Sequence, residues 1–176
     1  MPLSVEPFEP ARHTRSDFQS GTAGVDSFLK LTAKKLANAH AAAVFVVADS
    51  DDNIVGYYVL AAIVIDASDI STDKASKLFG RFGAVPATLL SFLGVDQRWQ
   101  GQGIGKMLLA DALRRSFEAS RQVGSFCVVL DVLDDGDPEN MAKRVALYEG
   151  VGFRRCDTDK GMRMFLTMRD IEANAG

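Results

Sequence analysis

Cysteine is nearly missing from this chain of 176 residues, and the two present, Cys127 and Cys156, are too few for a disulfide framework. Long hydrophobic runs are missing too. With no stretch of 18 apolar residues and no apolar run near the N-terminus, the sequence predicts neither a membrane-spanning helix nor an export leader, and the cytoplasm is the expected location. An excess of positive charge is also absent: 20 Lys and Arg stand against 23 Asp and Glu, for a formal net charge of -3. The summed field therefore does not attract nucleic acid, and any contact with RNA has to be local. Histidine is scarce, and His13 and His40 lie outside every motif described below, where they read as surface or core residues. Zinc-ligand spacing is absent and no metal is expected. Asp134-Asp135-Gly136-Asp137 lacks the spaced ligands and closing glutamate of a calcium loop and reads as a turn with a helix cap.

Apolar residues are plentiful, at 47% of the chain, with 15 Gly and only 5 Pro, a balance that predicts one globular domain with its own core. Residues 1–168 are assigned to it and 169–176 to a polar, frayed tail. Leu3 to Phe8 alternates weakly as a first strand, and Val25, Phe28, Leu29, Ala33 and Leu36 recur at helical spacing. Val44 to Val47 and Ile54 to Ile65 flank the turn-forming Asp49-Ser50-Asp51-Asp52-Asn53 and predict a hairpin. A loop over residues 67 to 83 follows, with one short helix after Ser71-Thr72-Asp73. Val85 to Val95 reads as a central strand with Pro86 at its start, Ile104 to about Gly124 as an amphipathic helix, and Phe126 to Leu133 as a buried strand. Asp137-Pro138 caps a helix running to Gly150 or Gly152, and Met162 to Met168 alternates as the last strand. This order predicts an α/β chain with a mixed sheet flanked by helices, parallel across the glycine-containing strand-helix-strand unit.

That unit carries Trp99-Gln100-Gly101-Gln102-Gly103-Ile104-Gly105-Lys106. A glycine-rich strand-to-helix turn leaves backbone N–H groups unpaired at the positive end of a helix, which makes it an anion site. Its glycines follow G-x-G-x-G rather than the dinucleotide G-x-G-x-x-G. The Walker loop is absent as well, because Gln100 stands where its glycine belongs and Met107 where its hydroxyl belongs. A tight turn with close helix–strand packing is the bland alternative.

Gln100-x-x-Gly103-x-Gly105 resembles the [QR]-x-x-G-x-[GA] signature of GCN5-related N-acetyltransferases. Ala146-Leu147-Tyr148-Glu149-Gly150-Val151-Gly152-Phe153 resembles that family's second landmark, a tyrosine shortly before Gly-Phe. The resemblance covers most of the chain. It implies a single-domain GNAT-like fold with a central mixed, mostly antiparallel sheet flanked by helices. Gln100 to Lys106 would bind acetyl-coenzyme A, with its pyrophosphate on the backbone of Gly101, Gln102, Gly103, Ile104, Gly105 and Lys106 and its pantetheine arm along Leu93, Gly94 and Val95.

A narrower pattern comprises Phe18-x-x-Gly21, Val25-Asp26-Ser27-Phe28-Leu29, Phe45-Val46-Val47, Val55-Gly56-Tyr57-Tyr58-Val59-Leu60-Ala61 and Val85-Pro86. It is similar to the acetyltransferase toxins of bacterial toxin–antitoxin pairs. That similarity implies acetylation of the amino group of aminoacyl-tRNA and a ribbon-helix-helix antitoxin as partner, and it leaves a homodimer open.

Under this resemblance Tyr148 is the candidate catalytic acid, since a phenol with a pKa of about 10 is protonated at neutral pH and can donate to a departing thiolate. A core-facing aromatic on an amphipathic helix is its plainer alternative. Lys34, Lys35, Arg114, Arg115, Arg121, Lys143, Arg144, Arg154 and Arg155 form local clusters that could make a basic face for RNA. A metabolic or resistance acetyltransferase acting on a polyamine or aminoglycoside, and a non-catalytic acetyl-coenzyme A-binding regulator, are the competing readings.

Overall fold

The computed structural model describes residues 2–70, 72–158 and 161–175. Ser71, expected to lead into a helix, lies outside them. The described strands form one seven-stranded mixed sheet in the order β1-β2-β3-β4-β5-β7-β6. They are β1 (Val5–Pro7), β2 (Ala43–Ala48), β3 (Ile54–Asp66), β4 (Ala84–Val95), β5 (Cys127–Asp131), β6 (Arg154–Arg155) and β7 (Arg163–Thr167). Two compact units divide the chain, Met1–Ala61 with Leu90–Leu113, and Ala62–Leu89 with Arg114–Gly176.

In the first unit, β1, β2 and β3 pair antiparallel, with Phe45 opposite Tyr58 and Val46 opposite Tyr57. The predicted hairpin is present, and its turn is tied by Asp49, whose carboxylate accepts from the backbone N–H groups of Asp51 and Asn53. The helical spacing read over residues 25–36 becomes three consecutive pieces: α1 (Ala23–Ser27), a π-helical stretch (Phe28–Thr32) and α2 (Ala33–Asn38). Val25, Leu29 and Ala33 fall on one face and are buried with Phe8, Phe18, Val46 and Tyr57. Phe28 stacks on Phe92 with ring centroids 4.2 Å apart.

In the second unit, β5 pairs antiparallel with β7, and β6 with β7. Its core gathers Ile65, Ile70, Ala75, Val85, Ala87, Cys127, Val129 and Phe165. The Thr72 hydroxyl caps α3 (Asp73–Phe79) by accepting from Ala75 N–H. Helix α4 (Ile104–Ser120) begins in the first unit and ends in the second, and α5 (Pro138–Val151) has the expected Asp137 cap and proline in its first turn. It stops at Gly152, whose φ of 112° is left-handed.

The strand-helix-strand unit is parallel as expected, with Ala87, Thr88 and Leu89 of β4 opposite Cys127, Val128 and Val129 of β5. Helix α4 ends before Gly124 because the Ser120 hydroxyl bonds the Phe117 carbonyl, offering the backbone a way out of the helix. The end of the chain departs from expectation. Met168–Asn174 is a helix, α6, capped by Thr167, with Met168 and Ile171 buried. Two apolar side chains in a polar stretch are enough to dock it.

Candidate functional site

The backbone between β4 and α4 is shaped by its charges before its glycines. Asp96, 1% exposed, accepts from Arg98 N–H and so starts a short 3-10 turn over Gln97–Trp99. Its other oxygen accepts from Gln19 N–H at 3.1 Å, and Gln97 N–H donates back to the Gln19 carbonyl at 2.8 Å. The guanidinium of Arg98 closes over both carboxylate oxygens. Burial by itself would push the Asp96 carboxyl up. Hydrogen bonds from the Arg98 side chain and from the backbone of Gln19 and Arg98 outweigh it and hold the carboxyl below its ordinary value.

Gln100 completes this brace. Its side-chain amide donates to the Ser20 and Val95 carbonyls, both at 2.9 Å, so it fastens the 19–21 segment to the end of β4. The amide NH2 of the signature glutamine is thus engaged by the protein's own backbone.

Gly101 and Gly103 follow with φ of 80° and 84°. A Cβ on either would meet nothing within 4 Å, so these glycines serve backbone conformation and not space. Gly105 differs: it lies in the first turn of α4 without a positive φ. Among the described residues, the backbone N–H groups of Gly101 to Lys106 make no hydrogen bond to protein. A run of unpaired donors at the positive end of a 17-residue helix is an anion cradle.

Leu93, Gly94 and Val95 lie on β4 past Leu89, the last residue in its register with β5. Gly94 is where the sequence suggests a local bulge. Its reason in the structure is space: a Cβ there would come within 2.5 Å of the Val25 side chain. Helix α1 therefore packs against backbone at the end of β4, and Tyr57 fixes it by donating to the Val25 carbonyl at 2.6 Å.

In the second unit, Tyr148 sits on α5 with its ring edge-on to Phe153, centroids 5.8 Å apart. The ring packs, and the hydroxyl makes no hydrogen bond among the described residues. Burial raises the Tyr148 pKa above its ordinary value, against a smaller opposing pull from Arg144. The phenol is therefore protonated at neutral pH and free to donate. Asp134 to Asp137 form the expected turn and cap, with Asp134, Asp135 and Asp137 each accepting from a backbone N–H two residues on. His13 is buried against Glu6.

The brace made by Gln19, Ser20, Asp96, Gln97 and Arg98 escapes a reading by motif. Only Asp96, as a capping residue ahead of Gln97-Arg98-Trp99, carried a local signal.

Comparison with known proteins gives this geometry a family context. The acetyltransferase (GNAT) domain matches residues 41–155. The probable toxin TacT of Sinorhizobium fredii (strain NBRC 101917 / NGR234) is 37% identical over 173 residues, 98% of this chain and 94% of that protein. The tRNA-acetylating toxin of Mycobacterium tuberculosis (strain ATCC 25618 / H37Rv) is 30% identical over 162 residues, 92% of this chain and 90% of its own. Among solved structures, AtaT complexed with acetyl-methionyl-tRNAfMet superposes with a TM-score of 0.87 at 20% identity, over 99% of this chain and 100% of that one. A mutant AtaT toxin bound to acetyl-CoA and the C-terminus of the antitoxin AtaR gives 0.79 at 19%, over 98% of each. No helix among the described residues is long and apolar enough to cross a membrane.

Proposed function

This chain belongs to the GNAT family of acetyltransferases, and on that premise we propose that it moves the acetyl group of acetyl-coenzyme A onto the free α-amino group of an aminoacyl-tRNA. It acts as the toxin of a toxin–antitoxin pair in the cytoplasm, where both substrates are found. The observation that carries this reading is the alignment of 92% of the chain with a protein named a tRNA-acetylating toxin. The pattern Val55-Gly56-Tyr57-Tyr58 and the braced glycine turn support it.

The unpaired N–H groups of Gly101 to Lys106 hold the pyrophosphate, with the dipole of α4 behind them. Main-chain groups of Leu93, Gly94 and Val95 pair with the pantetheine arm as an added strand, and one of their N–H groups polarises the thioester carbonyl. The amine nitrogen attacks that carbon, a C–N bond forms, and the C–S bond breaks. Tyr148 gives its proton to the departing thiolate and recovers one from the acylated nitrogen through solvent. An α-amino group has a pKa of about 7.7 to 8.0, so a sizeable fraction of the acceptor is already neutral and no separate base is required.

Protein synthesis in a purified cell-free system, run with and without acetyl-coenzyme A, tests this. Inhibition is expected only with the cofactor. The Tyr148→Phe variant should inhibit about 100-fold less or weaker still, in line with the usual worth of general acid–base catalysis, while still binding the cofactor. A folded, cofactor-binding protein that leaves translation untouched would move the acceptor to a small amine.

A further inference from the structure

Most cations in the clusters singled out from the sequence are already engaged. Arg114 pairs with Glu118, Lys143 with Glu139, Arg144 with Asp135, Arg154 with Asp170 and Arg155 with Glu149. Outside those clusters several cations are not, and two of them are partly buried. Arg15 and Lys30, each partly buried, make no ion pair among the described residues. They line one concavity of about 370 Å³ together with His13, Thr14 and Ser16.

The lining is made almost wholly of hydrogen-bond donors. It contains a guanidinium, an ammonium and two hydroxyls that have no hydrogen-bond partner among the described residues, and it contains no carboxylate. The imidazole of His13 is spent on structure: Nδ1 accepts from Glu9 N–H at 2.9 Å, and Nε2 lies 2.7 Å from Glu6. Its neighbours are held in place. Thr14 is fixed through its backbone to Asp52 and Ile54, and the Arg15 guanidinium lies over the Phe8 ring at 5.6 Å.

We propose that this pocket grips a backbone phosphate of the acceptor RNA. A phosphate presents only acceptor oxygens and a charge, matching a lining that offers donors and two uncompensated cations. Lys34 and Lys35, exposed further along the same helical segment, continue the positive stripe beyond it. Solvent screens these partly exposed cations, so a free phosphate ion gains little there. A polyanion gains by releasing its condensed counterions. The pocket is also close in the chain to the catalytic turn: Ser16 precedes Gln19, which is bonded to Asp96 and Gln97, by three residues. At about 3.6 Å per residue, the Cα atoms of Ser16 and Gln19 lie within about 11 Å of each other. A phosphate held here would position the acceptor end of the RNA, a role that rests on the aminoacyl-tRNA reading above.

The test titrates the full chain with deacylated tRNA across a salt series, comparing the parent with the Arg15→Gln, Lys30→Gln double variant. In parallel, both proteins acetylate charged tRNA and an amino-acid methyl ester that carries no phosphate. The double variant should bind tRNA about ten-fold more weakly, with a slope of log K against log salt shallower by about 1 to 2. For charged tRNA its KM should rise while kcat is kept, and turnover of the ester should match the parent. The charge-keeping pair Arg15→Lys, Lys30→Arg should recover most of the affinity and separates loss of charge from loss of fold. Equal affinity and slope in parent and double variant would overturn the proposal, as would parallel losses on the ester. So would inorganic phosphate binding the parent pocket while the tRNA slopes coincide, which marks a site for the free ion. If charged tRNA is never acetylated but the slopes still differ, the acceptor reading fails and the phosphate pocket stands. If charged tRNA is acetylated with the same KM by both proteins, the pocket fails and the acceptor reading stands.

Discussion

Asp96 shows how one buried charge organises the glycine turn. Its two oxygens gather the backbone of Gln19 and Arg98, and Gln100 repeats the connection four residues later. Arg98 is 66% exposed, so its ion pair contributes little, and the bonds from backbone N–H groups to the buried carboxylate matter more. Asp96→Asn should therefore cost about 2 kcal/mol in urea unfolding and weaken acetyl-coenzyme A binding, since an amide cannot accept on both sides. The sign of the pH dependence follows from the direction of its shift. The folded carboxyl lies below its ordinary value of about 3.9, so its contribution is present above that pH and is lost as pH falls through the folded value. The stability gap between parent and Asp96→Asn should be full at pH 7 and narrow below about pH 4. A gap that widens in acid would contradict this account.

At the scale of elements, the glycine turn separates into two kinds of residue. Gly103 adopts a φ of 84°, whereas Gly105 sits inside the first turn of α4, where an added Cβ would find the Val95 side chain at an easy 3.8 Å. An L side chain in left-handed backbone costs about 1 to 2 kcal/mol, while alanine gains over glycine in helical backbone by up to about 1 kcal/mol. Gly103→Ala is therefore expected to lose about 1 kcal/mol and to weaken acetyl-coenzyme A binding, and Gly105→Ala to be neutral or slightly stabilising. Paired urea melts and cofactor titrations decide it, and the reverse order of stability would refute the assignment of roles. The π-helical stretch at Phe28–Thr32 and the docking of α6 belong to this scale too. Neither changes the apolar periodicity enough to be read beforehand.

At the scale of the whole molecule, a formal net charge of -3 leaves no general attraction for RNA, and the paired cations subtract further from it. Binding to tRNA is expected to involve few phosphates. The salt slope of the parent should stay at about 4 or below in magnitude, well short of proteins that make roughly 6 to 10 phosphate contacts. Acetylation of charged tRNA at limiting concentration should fall as salt rises from about 50 to 200 mM, the range over which such contacts weaken, with the ester unaffected. A slope of about 6 or more would mean a long positive track in place of a local grip.

The sequence alone determined whatever depends on neighbours in the chain. Apolar period marked the hairpin, β4, α4 and α5; Asp137-Pro138 and Gly152 marked the ends of α5; and Gln100-x-x-Gly103-x-Gly105 with Tyr148 marked the family and the candidate site. Tertiary structure decided what depends on residues brought together from afar. Gln100 belongs to the signature, and it also braces the turn because Ser20, 80 residues away, arrives beside it. Gly94 leaves the clearance that Val25, distant in sequence, needs. The chain end looked frayed until Met168 and Ile171 found a surface to bury against. Which arginines and lysines remain unpaired is settled in the same way, since a cation is free only when folding brings no carboxylate to it.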